Sequence, residues 1–276
     1  MKLGIVGNGV IVQEILTFID EIGFEEIYIC GRKASEDKLN ALAKKHVLCE
    51  KPMCVTLSEV EELEKTAKEN GVMLFEAMSI YHMPAYKQLQ QDVKLVGDVK
   101  FCNFNYSQMS RRYKAFHEGG EAPAVFSPDH AGGCLRDLNV YNISAMVGLF
   151  GMPESVTYSA NMERGIDTSG ALLADYGSFK CICMATKDCN APGPSTIQGV
   201  DGTVCIYPHV NGMTEYDVLF NDADTDTKEV SLSDGSNRLY FEFAEFKRAI
   251  EEKDTSLMEK ILGYSKMVAK IIDLAV

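Results

Sequence analysis

The sequence predicts a doubly wound α/β domain at residues 1–83 and an α+β domain at residues 84–276, the second built on an open, mainly antiparallel sheet. Three observations predict it. Up to Pro84, short apolar runs alternate with helical patterns, as parallel strands joined by crossover helices do. Beyond Pro84, strand-like runs follow one another with few helices between them. The chain has 276 residues, 46% of them apolar, which is enough to bury two cores.

Residues 2–6 (KLGIV) read as a buried strand, Gly7-Asn8-Gly9 as a turn, and residues 10–22 as a helix. A second strand, EEIYIC at 25–30, ends at Gly31-Arg32-Lys33, and Ser35 can cap a helix running to about residue 45. VLCEKP (47–52) is a third strand. Residues 56–71 form a helix capped at Thr56 or Ser58, and VMLFEAM (72–78) is a fourth strand. In the second domain, strands are predicted at 99–108, 154–164, 170–178, 179–187 and 203–209. A long helix at 134–150 follows the Gly132-Gly133 turn. Two more helices, at 241–252 and 256–275, close the chain, and the last is expected to pack back on the first domain.

The formal charge of -13 argues against a nucleic-acid partner, which needs clustered Lys and Arg, and against an anionic membrane surface. No stretch reaches the apolar length of a membrane span. Asn8, Gln13 and Glu14 interrupt the apolar start, so it does not read as a secretory signal. Nine cysteines without a CxxC pair read as reduced, mostly buried thiols of a cytoplasmic protein, with no metal site.

Four features carry chemistry. A Gly-rich turn between strand and helix, here GNGVIV (7–12), lets backbone N–H groups approach a pyrophosphate. The motif is partial, because its third glycine position holds Val12; a glycine turn of another α/β fold has the same pattern. Arg32, at the tip of the second strand, stands where an acidic residue favours NAD and an Arg accommodates the 2′-phosphate of NADP. The balance tips towards NADP. Glu50 and Lys51 end a buried strand, where the ammonium can reach the ligand crevice and stabilise a developing oxyanion. Asp137 and Tyr141 are four apart on a predicted helix and share a face, as a surface hydrogen-bonded pair also would.

Together GNGVIV, HVLCEKP (46–52), FEAM (75–78) and GGCLRDLNVYNISAMVGLFG (132–151) resemble the glucose–fructose oxidoreductase/inositol dehydrogenase (Gfo/Idh/MocA) family. The resemblance implies a Rossmann domain, a second domain whose sheet mediates a homodimer or homotetramer, and hydride transfer between NAD(P) and a hydroxyl-bearing carbon of a sugar, polyol or dihydrodiol-like small molecule. It implies catalytic roles for Lys51, Asp137 and Tyr141: Tyr141 as general acid/base, with Lys51 lowering its pKa and binding the substrate oxygen. Tyr141 stands where many members have His, as in the dihydrodiol dehydrogenase-like branch. The cofactor would lie against Gly7, Asn8, Gly9, Val10, Ile11, Arg32, Glu50 and Lys51. SRRYKAF (110–116) and RGIDTSG (164–170) match further family positions without an assigned role.

One departure matters. Family members carry two more strand–helix units where Lys44-Lys45-His46 runs directly into VLCEKP. In a sheet of order 3-2-1-4-5-6, the lost fourth strand lies beside the first, so its absence breaks the sheet. Two such units amount to roughly 40–60 residues. The preferred reading is that this segment is missing from the sequence between residues 44 and 47; the alternative is a genuinely shortened domain with impaired cofactor binding. Two other functions remain open: a catalytically silent nucleotide or sugar sensor, and an oligomerising scaffold.

Overall fold

A computed structural model describes residues 2–6, 10–30, 45–130 and 132–276. The predicted Gly7–Gly9 turn, Arg32 and nearly all of the predicted 35–45 helix lie outside these residues.

Strands β1 (Lys2–Val6) and β2 (Glu26–Cys30) pair in parallel, with Lys2 opposite Glu26 and Val6 opposite Cys30. Helix α1 (Val10–Ile15) and a 3-10 turn (Ile19–Ile22) connect them. The helix expected to reach residue 22 stops at Ile15. The Thr17 hydroxyl bonds back to Glu14 O at 2.7 Å, an alternative to the helical ladder, and Gly23 closes the turn at φ 74°.

Strands β3 (Val47–Glu50) and β4 (Leu74–Ala77) form a second parallel pair, joined by α2 (Leu57–Glu69). Thr56 caps α2. Its side chain accepts from Glu59 N, and the Glu59 carboxylate accepts from Thr56 N at 2.9 Å. The two pairs are separate two-stranded sheets. Among the described residues no strand bridges them.

Helix α3 (Pro84–Asp92) leads into the second domain. Its strands are β5 (Val99–Ser107), β6 (Ser155–Glu163), β7 (Ile166–Asp175), β8 (Lys180–Thr186), β9 (Ser195–Gly199), β10 (Gly202–Tyr207), β11 (Glu215–Phe220) and β12 (Lys228–Ser231). They form one open sheet of order β12-β11-β10-β9-β5-β8-β7-β6. Every pairing is antiparallel except β5 with β8. Strand β7 begins at Ile166, ahead of the predicted start at 170, and β9, β11, β12 and α3 went unpredicted. The short edge strand β12 is placed by its pairing with β11 rather than by any apolar pattern of its own.

One face of the sheet is covered by helices. After the short α4 (Tyr113–His117), α5 (Val140–Phe150) continues from a π turn at Leu135–Asn139. Helices α6 (Arg238–Glu252) and α7 (Thr255–Ala275) complete the chain. Helix α7 packs on α2, α5 and β4. Helix α6 serves two cores. Leu239 and Phe243 join Leu3, Ile15, Phe18 and Ile19 in a small core under β1, while Phe246 and Ala249 belong to the main core.

Candidate active site

Lys51 leaves the C-terminal end of β3, the side on which parallel sheets present ligands. The turn after it is fixed from beneath by Glu76 of β4. Glu76 accepts from Met53 N at 2.9 Å and from the Ser265 hydroxyl of α7 at 2.6 Å. Burial pushes its carboxyl pKa up. Lys51 then crosses to the second domain. Its ammonium donates to Asp137 O at 2.8 Å and to Asp137 Oδ1 at 3.2 Å, and it stands 4.6 Å from the centre of the Tyr141 ring.

Asp137 and Tyr141 ride on the helix that starts after Gly132-Gly133. Gly133 has φ 107°, and a Cβ there would fall 2.0 Å from Asp167 Oδ1. The other oxygen of Asp167 accepts from Leu135 N at 2.7 Å and from the Tyr158 hydroxyl at 2.8 Å. Asp167, within the RGIDTSG run, thus satisfies a free N–H at the helix start. The shared face expected from α-helical spacing is reached through a π turn instead. A π turn widens the backbone ladder and is frequent at functional sites; here the mid-helix carbonyl of Asp137 accepts the Lys51 ammonium.

Behind Asp137 lies a lysine that motif reading missed. Lys187, 1% exposed, binds Asp137 Oδ2 at 2.9 Å and Val125 O at 2.6 Å, and sits 4.4 Å over the Phe126 ring. A signal was present in FKCICMATK: period-two alternation places Lys187 on the same face as the buried Cys181, Cys183 and Ala185. A second missed group lines the site through aromatic contact. The Tyr106 ring meets Tyr141 edge-on at 5.7 Å and lies 4.5 Å from His209.

The charges settle as follows. Burial opposes ionisation of Asp137, but Lys51 and Lys187 outweigh it and hold the carboxyl below its usual range. Burial also opposes the charge on Lys51, yet Tyr141 and Asp137 together raise its pKa. Burial raises the Tyr141 phenol, and the Lys51 ammonium offsets only part of that rise. The expectation that Lys51 lowers the phenol is met in sign by the pair interaction, but desolvation wins the net shift.

The cofactor-side positions are less complete. Val10 opens α1; Ile11 packs against the Leu3–Phe18 core; Val12, at the third glycine position, is buried. Glu50 ends β3 with an exposed side chain. These residues fit a dinucleotide. The β1–α1–β2 unit supplies the parallel pair and crossover on which a dinucleotide half is built. Among the described residues no group of His, Cys, Asp and Glu could hold a metal, and no helix is long and apolar enough to cross a membrane.

A parallel βαβ unit followed by an open antiparallel sheet is the arrangement of a dinucleotide-binding domain joined to a second domain. Comparison with known proteins agrees. The model of the oxidoreductase family with an NAD-binding Rossmann fold (Gfo/Idh/MocA) matches residues 36–78. The chain is 32% identical over 254 residues to scyllo-inositol 2-dehydrogenase (NADP(+)) IolU of Bacillus subtilis, covering 91% of this chain and 76% of that protein. It is 28% identical over 241 residues to trans-1,2-dihydrobenzene-1,2-diol dehydrogenase of Xenopus tropicalis, covering 83% and 69%. The fold is shared with KijD10, a 3-ketoreductase of Actinomadura kijaniata solved with NADP, at a TM-score of 0.74 and 16% identity, covering 100% of this chain and 96% of that one. The chain belongs to the Gfo/Idh/MocA family of NAD(P)-dependent oxidoreductases.

Proposed function

We propose that this protein is an NADP-preferring dehydrogenase that interconverts a secondary alcohol and a ketone on a cyclic polyol or dihydrodiol-like substrate, with Lys51, Asp137 and Tyr141 as its catalytic residues. The observation that carries the reading is the buried Lys51 ammonium held between the Asp137 carboxylate and the Tyr141 ring. The substrate class is supported by the names of the inositol and dihydrodiol dehydrogenases to which the chain is similar.

The cofactor would be held by Gly7, Asn8, Gly9, Val10 and Ile11 at the first turn, by Arg32 at the 2′-phosphate, and by Glu50 and Lys51 at the reacting end. When bound, the nicotinamide supplies or accepts the hydride. In the reductive direction the Tyr141 phenol donates its proton to the substrate oxygen, and Lys51 stabilises the charge that develops there. In the oxidative direction the phenol must give up its proton first, and its raised pKa sets that reaction in the alkaline range. Asp137 fixes the Lys51 ammonium in place. Exposed apolar residues on the sheet strands, Met162, Leu173 and Leu219 among them, support assembly as a homodimer or homotetramer through that sheet. The free cysteines support a cytoplasmic site of action.

Fluorescence titration with NADPH and NADH, followed by a screen of inositols, sugars and dihydrodiols with both oxidised cofactors, tests the reading. Tighter binding of NADPH and turnover of one substrate class are expected. The split first sheet favours the silent-sensor alternative. Cofactor binding without turnover of any class would favour that alternative, and no cofactor binding at all would remove the enzyme reading.

A further inference from the structure

We propose that Lys187 is a positioning residue for the reaction: its buried ammonium holds one oxygen of Asp137 so that the other oxygen and the Asp137 carbonyl hold Lys51 over Tyr141. The inference rests on the proposed roles of Lys51 and Tyr141. An ammonium has three donors and no acceptor. In Lys187 they face Asp137 Oδ2, Val125 O and the Phe126 ring, and the side chain is almost wholly out of solvent. None is left for a ligand, so Lys187 acts only through Asp137.

Its place explains the arrangement of the carboxylate. A carboxylate held at one oxygen can swing; one gripped at both oxygens from opposite sides cannot. Lys51 takes Oδ1 and Lys187 takes Oδ2. The charge count matters as well. One carboxylate between two ammonium groups leaves one positive charge in excess beside the phenol. Without Lys187 the full charge of Asp137 would fall on Lys51, and the phenolate would lose that excess.

The groups that face this cluster come from several elements. Around Tyr141 they are Lys51 and Glu50 at the end of β3, Arg238 at the start of α6, and Tyr106 on β5. Around Asp137 they are Lys51 and Lys187. Near Lys187 stand Cys134 and, next in the chain, Asp188. The Asp188 carboxylate is engaged by the Thr168 and Ser169 hydroxyls, both at 2.8 Å, and so does not substitute for Asp137.

The test titrates the phenol without turnover. With 3,5-difluorotyrosine replacing Tyr141, whose phenol ionises at lower pH than tyrosine's, fluorine NMR follows ionisation in the intact protein. Lys187→Met is expected to raise the apparent pKa by about one pH unit, a tenfold drop in acid dissociation, and Lys187→Arg to restore most of it. An unchanged pKa in folded Lys187→Met overturns the proposal. Should that variant not fold, Lys187→Gln, whose amide keeps a donor for Asp137 Oδ2, is titrated in its place; it too lacks the charge and is expected to raise the pKa, and an unchanged pKa in it overturns the proposal. Because no substrate is needed, the result is independent of the activity screen.

Discussion

The two parallel pairs of the first domain have the same architecture and different support. The β3–β4 pair lies against α2 and α7, is tied at its functional end by the buried Glu76 bonds, and reaches through Lys51 into the helix of the second domain. Among the described residues the core at the β1–β2 pair holds Leu3, Ile15, Phe18 and Ile19, with Leu239 and Phe243 lent by α6. The proposed chemistry thus sits on the half braced by the second domain, and the proposed cofactor turn sits on the half that rests on the small core. Parallel pairs of the same architecture are thus braced unequally when one of them is buttressed by another domain.

The largest effect is expected at the braced half. Lys51→Ala and Tyr141→Phe should each lower kcat by about 10²–10⁴ while circular dichroism and melting stay close to those of the parent protein. Near-parental turnover in both would show that the reacting groups lie elsewhere. The oxidative rate of the parent should climb as pH rises towards the raised pKa of the Tyr141 phenol, because the base is the deprotonated form, while reduction uses the protonated form and should hold level until that pKa is passed. Tyr141→Phe should abolish both dependences.

Next comes the small core. Phe243→Ala removes a buried ring that meets Phe18 edge-on at 6.2 Å, at a cost of about 3–5 kcal/mol. Hydrogen exchange should show β1 and β2 losing protection while β5 and β8 keep theirs. Uniform loss across both domains would mean that the halves unfold as one unit. Gly133→Ala should cost about 1–2 kcal/mol from its positive φ alone, plus displacement of Asp167 from the start of the site helix, read as a lower melting temperature together with a fall in kcat. The smallest effect is expected at Glu76→Gln. The amide keeps an acceptor for Met53 N and fills the same space, so stability should change by less than about 1 kcal/mol and kcat only severalfold. A loss as deep as that of Lys51→Ala would make Glu76 as essential as the lysine it supports.

The parts legible in the sequence were those with local patterns. Alternating apolar runs gave the strands of the two pairs, and Thr56, one of two candidate caps, marked the start of α2. Strands β9 and β12 were not legible, because STIQG and KEVS each hold a single large apolar residue and are placed by antiparallel pairing with β10 and β11. Neither was the π turn, since a spacing of four between Asp137 and Tyr141 reads the same on an α-helix. Lys187 was visible only as a charge on the inward face of a strand, and its partner lies fifty residues earlier in the chain, on another element.

The Lys51–Asp137–Lys187 cluster carries one surplus positive charge inside a chain whose formal charge is -13. The long-range field of the whole chain therefore opposes the approach of a phosphorylated cofactor, while the cluster's local charge lies at the proposed reacting end. Ions in solution weaken the outer field far more than the buried one. Moderate salt should accordingly speed the encounter with such a cofactor, the reverse of the behaviour of a protein that draws anions to a basic surface.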